Sequence, residues 1–341
     1  MDYKSAGVDI GKADQLVEWI SARLKNHPIH KKGTLSGVGG FAAFSELPFS
    51  DYKKPILVTC TDGVGTKVKL ANHFENFSGI GQDLVAMCAN DMAVSGARPC
   101  LFLDYFATSS LSLQTAQEIL ESIFVACENI DTAVVGGETA ELPGLYQPGD
   151  FDLAGFLVGL IEKERLSLRE SVKAGDLLIG VASSGFHSNG YSLLRKIFEK
   201  DLAKYEADLM EPTRLYVSLL LDLYDQELIK SASHITGGGI LNVPRAFKDG
   251  LAARINGWPL TKIYSECQKR ASIDNNKMLR TWNCGVGIVL VVAQEVRVAV
   301  EEKIARLGWA SYLIGEVIEA SAQTEDRLDM SGFSWLKEEQ R

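Results

Sequence analysis

Thr61-Asp62-Gly63-Val64-Gly65-Thr66-Lys67 follows, after Cys60, on the apolar, β-branched-rich run Ile56-Leu57-Val58-Thr59. An acidic residue, two glycines and a lysine therefore meet where a strand ends. Glycines there let backbone N–H groups turn inward around an anion. Asp62 offers a hard oxygen ligand to a divalent cation, and Lys67 reaches a phosphate. With Gly63, Gly65 and Thr66 this is the chemistry of a magnesium–nucleotide loop. The spacing fits neither the P-loop nor the dinucleotide-binding glycine pattern, which excludes the usual nucleotide-binding folds. Taken alone, the seven residues also read as a Gly-rich hairpin turn with a solvated lysine.

The chain has 341 residues, enough for two domains with separate cores, and its 46% hydrophobic and 23% charged residues are those of an ordinary globular protein. A net charge of −9 argues against general nucleic-acid binding, which needs a basic face. Phosphates must then be held locally, by backbone N–H groups, magnesium and a few cations. Met1 to Ser5 lacks the basic start and apolar stretch of a signal peptide, and the apolar run from Gly285 to Ala293 is too short to span a bilayer. The six cysteines form no C-x-x-C pair and read as reduced, buried thiols rather than a zinc site. A cytoplasmic protein with no membrane or nucleic-acid partner is expected.

Outward from the opening motif, apolar spacing predicts helices over 12–26, 80–95 and 113–129, and strands over 55–60, 100–108, 132–135 and 151–161. The polar stretch 162–176 separates two domains, 1–165 and 174–341. The second restarts with a strand over 177–182 and a helix from about 190 to 202. Another helix follows Pro212, Thr236 to Gly239 opens a further one, and strand 285–293, helix 294–307 and strand 312–318 complete it. The fold class is α/β (α+β): two domains, each a mixed sheet with helices packed on one side.

Other loops carry polar chemistry. Gly37, Gly39 and Gly40 form a flexible flap or phosphate cradle, or a plain connecting loop. Glu138 follows two glycines at a strand end, and Asn90-Asp91 ends a helix. Asp104 is out of place inside the apolar strand Leu101 to Phe106. Asp62, Asp91, Glu138 and Asp104 look like carboxylates gathered around magnesium, although each alone also reads as a cap or edge residue. The Ser183–Gly190 loop, with Ser184, His187 and Asn189, offers donors at a helix start, where a phosphate is favoured. Thr236, Gly237 and Gly238 repeat that logic. Arg214 is either a phosphate clamp or a surface charge. No G-x-S-x-G elbow supports a serine hydrolase.

These segments occur in order with Tyr3 to Ile10, Phe102 to Tyr105, Pro212-Thr213-Arg214 and Asn283 to Gly287. The set closely resembles the phosphoribosylformylglycinamidine cyclo-ligase (aminoimidazole ribonucleotide synthetase) family over about residues 3–318. The resemblance implies a homodimer whose N-terminal sheets pair into a barrel, with ATP bound near the N-terminal Gly-rich loop in a cleft between domains. It also implies ATP-dependent closure of formylglycinamidine ribonucleotide to aminoimidazole ribonucleotide, ADP and phosphate in purine biosynthesis. The implied site has Asp62, Asp91 and Glu138 for magnesium and Lys67 on the transferring phosphoryl group. Asp91 is the first choice to hold magnesium or take the proton, and His187 contacts a phosphate or polarises the amide oxygen. Ser184, Asn189, Thr236, Gly237 and Gly238 take the ribose phosphate.

Ser5, where the family often has an acidic residue, Ala42, where glycine is common, and a short 199–211 segment depart from the pattern. Selenophosphate synthetase is disfavoured because no cysteine lies in or just before the 37–41 loop. Thiamine-monophosphate kinase and the hydrogenase-maturation protein are disfavoured by the 183–190 and 283–287 motifs. A non-catalytic nucleotide-binding protein is disfavoured because carboxylates gathered without magnesium repel one another.

Overall fold

The structure, a computed structural model, describes residues 9–35, 39–322 and 324–336. It divides into two compact units: the described residues up to Met92 with Ala97–Glu162, and Ala93–Gly96 with the chain from Lys163 onward. Each unit is a mixed sheet with helices, as the sequence predicts. No helix among the described residues is long and apolar enough to cross a membrane.

The first unit holds strands β1 (Pro55–Gly63), β2 (Arg98–Thr108), β3 (Ala133–Glu141) and β4 (Phe151–Glu162). They stand in the order β1-β4-β2-β3, with β4 antiparallel to both neighbours and β2 parallel to β3. Its helices are α1 (Ile10–Lys25), α2 (Val68–Phe74), α3 (Ile80–Ala93) and α4 (Leu113–Glu128). Asp9 and Ser112 cap α1 and α4 by accepting from the backbone N–H of Lys12 and Thr115. In α4 the buried residues Ala116, Ile119, Leu120, Ile123 and Phe124 recur at helical spacing and face the core.

One sheet face is covered: Phe102, Phe106, Leu153 and Leu157 are buried there, and Cys88 of α3 packs over Gly155. A Cβ on Gly155 would stand 2.9 Å from the Cys88 sulfur, so glycine lets α3 approach β4. The described residues leave much of the opposite face, with Leu57, Leu103, Phe156 and Val158, open; Leu57 is 55% and Phe156 45% exposed. Strand β3 runs on through Gly136 to Glu141, where the sequence suggests a loop, because β2 beside it supplies partners along the whole stretch.

Arg23 of α1 binds Glu121 and Glu128 of α4 at 2.8 Å. The buried His30 accepts from the Val134 N–H through Nδ1, so its proton sits on Nε2, 3.1 Å from Glu128. Lys67, in the short turn after β1, is wholly buried with its Nζ 2.7 Å from Asp83 of α3, itself wholly buried.

The second unit holds β5 (Leu177–Ala182), β6 (Ser231–His234), β7 (Leu251–Ile255), β8 (Val286–Val292), β9 (Ser311–Glu319) and β10 (Leu328–Asp329), in the order β10-β7-β9-β5-β8-β6. All seven residues of β8 are buried, which explains its unbroken apolar run. The short strands β6 and β7 carry no clear alternation and escape sequence reading. Thr236 to Gly239 opens a 3-10 segment, Gly239–Ala246, rather than an α-helix; it contains Pro244, which cannot donate into an α-helical ladder.

The buried ion pair predicts its own test. Lys67→Met leaves the Asp83 carboxylate uncompensated and is expected to lower unfolding free energy by about 3–5 kcal/mol in urea titration. The double variant Lys67→Met/Asp83→Leu is expected to recover most of that loss.

Candidate active site

The register of the first sheet lines up the acidic residues in two adjacent rows. Asp62 pairs with Gly155, Gly155 with Asp104 and Asp104 with Gly137. The next row runs Gly63, Ala154, Tyr105, Glu138. Asp62 and Asp104 therefore share the covered face with one strand between them, and Glu138 points to the open face.

Asp62 accepts from the Gly63 N–H at 2.7 Å, folding its carboxylate back over the strand end. The exposed Asp91 of α3 reaches the same neighbourhood. Burial pushes the Cys60 thiol up to about 12, and the charges of Asp91 and Asp62 add to the rise. Two of the expected metal ligands thus lie close enough to Cys60 for their charges to act on its thiol. Asp104 is 7% exposed; burial pushes its carboxyl up to about 7, its own backbone N–H holds it back, and Glu138 raises it further. Asp62 and Glu138 stand on the two edge strands, three spacings or roughly 14 Å apart, and on opposite faces. The four carboxylates do not gather around a single ion within one chain.

Gly65 and Thr66 are exposed beside Asp62, and Gly65 has φ +65°, the left-handed backbone that the turn into Lys67 requires. Lys67 itself departs from the sequence reading: its ammonium is engaged with Asp83 in the core instead of facing a phosphate. Gly39 and Gly40 are exposed in the segment between Thr34 and Ser45, which pair as an antiparallel bridge. Gly37 lies outside the described residues. A cavity of about 880 Å³ in this unit, lined by Lys12, Thr108, Ser112 and Asp150 among others, includes none of Asp62, Asp91 and Glu138.

In the second unit Asn283 organises the Ser183–Gly190 loop. Its Oδ1 accepts from Tyr264 Oη at 2.6 Å, Gly285 N–H at 2.9 Å and Ser183 Oγ at 3.2 Å, while its Nδ2 donates to the Gly185 carbonyl at 2.9 Å. Ser184 donates to the Pro212 carbonyl at 2.7 Å. The Asn189 oxygen lies 3.5 Å from where a Cβ on Gly237 would stand, so the 183–190 and 236–239 loops meet. Asn242 secures the latter by donating to the Gly237 and Gly239 carbonyls. Thr236 and Gly238 sit partly exposed beside them. A cavity of about 600 Å³ opens along Ser183, Ser184 and Gly185, opposite Asp208, Glu211 and Lys262.

His187 also departs from expectation. It is wholly buried with φ +59°, its ring 6.0 Å from Tyr216 and 6.2 Å from His234, and it packs on Gly287 of β8. Its imidazole does not face an open phosphate site. Arg214 donates to the Ala182 carbonyl at 2.6 Å and stacks on Trp309, so it braces the fold. Sequence reading missed Tyr264, Asn242 and Asp83 as supporting groups; none carries a motif, and only their positions in space reveal them.

Among the described residues, the one group of three with ligand atoms close enough for a metal is His27, His30 and Glu128. Its chemistry does not fit an ion. His30 Nδ1 accepts a backbone N–H, leaving the proton on Nε2, and Arg23 already neutralises Glu128. This cluster clamps α1 to α4 and β3.

The models of AIR synthase related protein match the chain in two parts, the N-terminal domain over residues 50–161 and the C-terminal domain over 173–326. Solved structures with this fold include thiamine-monophosphate kinase from Stenotrophomonas maltophilia, at TM-score 0.64 and 19% identity over 88% of this chain and 93% of that one. The hydrogenase maturation protein HypE of E. coli follows at TM-score 0.66 and 20% identity, covering 91% of this chain and 92% of that one. The chain is thus a two-domain protein of the AIR synthase related class. Phosphoribosylformylglycinamidine cyclo-ligases of Albidiferax ferrireducens and Nitrosococcus oceani are each 44% identical to it, covering 93% and 96% of this chain and 93% of each relative. It belongs to the phosphoribosylformylglycinamidine cyclo-ligase family and is a carbon–nitrogen bond-forming ligase of purine biosynthesis.

The Asp104 carboxyl makes stability depend on pH. Its folded value of about 7 lies above the ordinary 3.8, so the fold favours the protonated acid. The penalty is absent below pH 3.8, grows through the window and is complete above 7. Asp104→Asn removes the titration, and its melting profile is expected to gain roughly 3–4 kcal/mol on the native protein between pH 4 and pH 8.

Proposed function

We propose that the acidic end of the first sheet performs the ATP chemistry of this ligase, with the loops around Asn283 holding the substrate's ribose phosphate. The reaction is closure of formylglycinamidine ribonucleotide to aminoimidazole ribonucleotide with conversion of ATP to ADP and phosphate. An amide oxygen is a poor leaving group, which supplies the reason for ATP. The formyl oxygen takes the γ-phosphoryl group and ADP leaves. The amidine nitrogen then bonds to the activated carbon, the carbon–oxygen bond breaks, phosphate departs and the nitrogen loses a proton.

The observation that carries this reading is that the charges of Asp62 and Asp91 both act on the Cys60 thiol near the end of β1, and that the turn following β1 exposes Gly65 and Thr66. Two carboxylates beside exposed backbone N–H groups suit magnesium–phosphate binding. Magnesium, when bound, neutralises charge on the transferring phosphoryl group. Asp62 and Asp91 hold the ion, and Asp91, being exposed, is also the group able to take the proton from the attacking nitrogen. Gly37, Gly39, Gly40, Gly63, Gly65 and Thr66 bind the nucleotide. Lys67 supports the loop through Asp83 rather than touching phosphate, and His187 supports the 183–190 loop from beneath. Ser184, Asn189, Thr236, Gly237 and Gly238 contact the substrate.

The protein works as a homodimer in the cytoplasm. The open apolar sheet face supports this, because a monomer would leave Leu57 and Phe156 against water. Two such faces packed together bring Glu138 of one chain near the other chain's sheet, and so allow this distant carboxylate to serve the magnesium–ATP site.

The test supplies ATP, magnesium and formylglycinamidine ribonucleotide and follows phosphate and aminoimidazole together. One phosphate per aminoimidazole is expected, and ATP hydrolysis without the aminoimidazole would sink the reading. Asp91→Asn is expected to lower kcat about 100-fold or more, in the range for lost general-base catalysis. His187→Ala is expected to lose thermal stability along with turnover; full turnover removes His187 from the support.

A further inference from the structure

The pairing of β2 with β3 contains one irregularity. Phe102 pairs with Val134, but Leu103 pairs with Gly136, leaving Val135 as an extra residue. A bulge of this kind moves every later side chain to the other face. Continued without the bulge, the ladder would put Glu138 opposite Phe106, which is buried on the covered face. With it, Glu138 lies opposite Tyr105 and is exposed on the open face.

The bulge also decides what lies beside Asp104. Its neighbours in the row are Gly137 on one strand and Gly155 on the other. A Cβ on Gly137 would stand 2.3 Å from Asp104 Oδ1 and 2.9 Å from Cγ, so the carboxyl occupies the space that a side chain at 137 would need. Gly155 is closed to a side chain by Phe102 and Cys88. Asp104 thus lies in a slot between two glycines. A slip of one residue in the other direction would place Glu138 beside it, two carboxylates abreast on the covered face, which is strongly unfavourable.

We infer that Asp104 and Gly137 are positioning residues: the carboxyl laid across the glycine locks the bulged register and so holds Glu138 on the open face. The inference rests on the reading that Glu138 serves magnesium–ATP. It accounts for a buried acid at a position where an apolar side chain would cost less, and for a glycine in the middle of a strand where glycine is otherwise unfavourable.

Four variants of the full chain decide it: Gly137→Ala, Asp104→Ala, Asp104→Asn and Glu138→Gln. Each is assayed for kcat, KM for ATP and the magnesium concentration giving half-maximal rate, with a melting curve alongside. Gly137→Ala and Asp104→Ala are expected to raise the half-maximal magnesium concentration about 10-fold or more, as loss of outer support does at metal sites. Asp104→Asn fills the same slot and is expected to keep the native value. Asp104→Ala discards a buried acid, so it is expected to melt no lower than the native protein at pH 8, and a weakened magnesium response cannot then be ascribed to unfolding. If Gly137→Ala does not fold, the contrast between Asp104→Ala and Asp104→Asn decides alone. A native magnesium response in Asp104→Ala, with a weakened one in Glu138→Gln, overturns the inference. A native response in Glu138→Gln instead removes the magnesium reading of Glu138, and the lock loses its purpose with it.

Discussion

The register of the four-stranded sheet is the constraint on which the first unit depends. Strand β4 lies antiparallel between β1 and β2, and its Gly155 forms the middle of the row from Asp62 to Asp104. Because side chains alternate with period two, that one alignment fixes which acids face the helices and which face the open side. Shifting β4 by a residue would put Phe156 under α3 and expel Leu157 from the core. The apolar side chains hold the register, and the acids take whatever positions it leaves them.

Charge burial then separates support from chemistry. Lys67 and Asp83 neutralise each other out of water, which suits a pair that pins the turn after β1 to the start of α3. Drawing the wholly buried ammonium out of this pair toward a phosphate would strand the Asp83 carboxylate. Burial raises the Asp104 carboxyl to about 7, so the fold favours its neutral form relative to an exposed acid. Asp62, Asp91 and Glu138 keep contact with solvent.

Much of this was legible in the sequence, for identifiable reasons. Alternation and helical spacing located β1, β2, β4, α1, α3 and α4, and β8 announced itself as an unbroken apolar run. The Gly-rich segments marked strand ends and loops that do carry the exposed polar groups. What escaped depends on contacts between distant residues. Nothing in the sequence pairs Lys67 with Asp83, whose side chain meets it only once α3 folds back. The burial of His187 depends on Gly287, 100 positions later, leaving room for its ring. The Val135 bulge is invisible to a pattern of period two, yet it reverses the face of Glu138.

The same geometry limits how the acids can cooperate. Asp62 and Glu138 occupy opposite edges and opposite faces of one sheet, and no side-chain rotation closes a gap of roughly 14 Å. Their joint presence is therefore uneconomical for an isolated chain. It becomes intelligible if the open face is an interface, because a two-fold axis carries each edge of one sheet toward the other copy. Under the dimer proposed above, the apolar residues exposed on that face and the carboxylate at its rim share one explanation: pairing would bury Leu57 and Phe156 and would supply the acid that one chain holds out of its own reach.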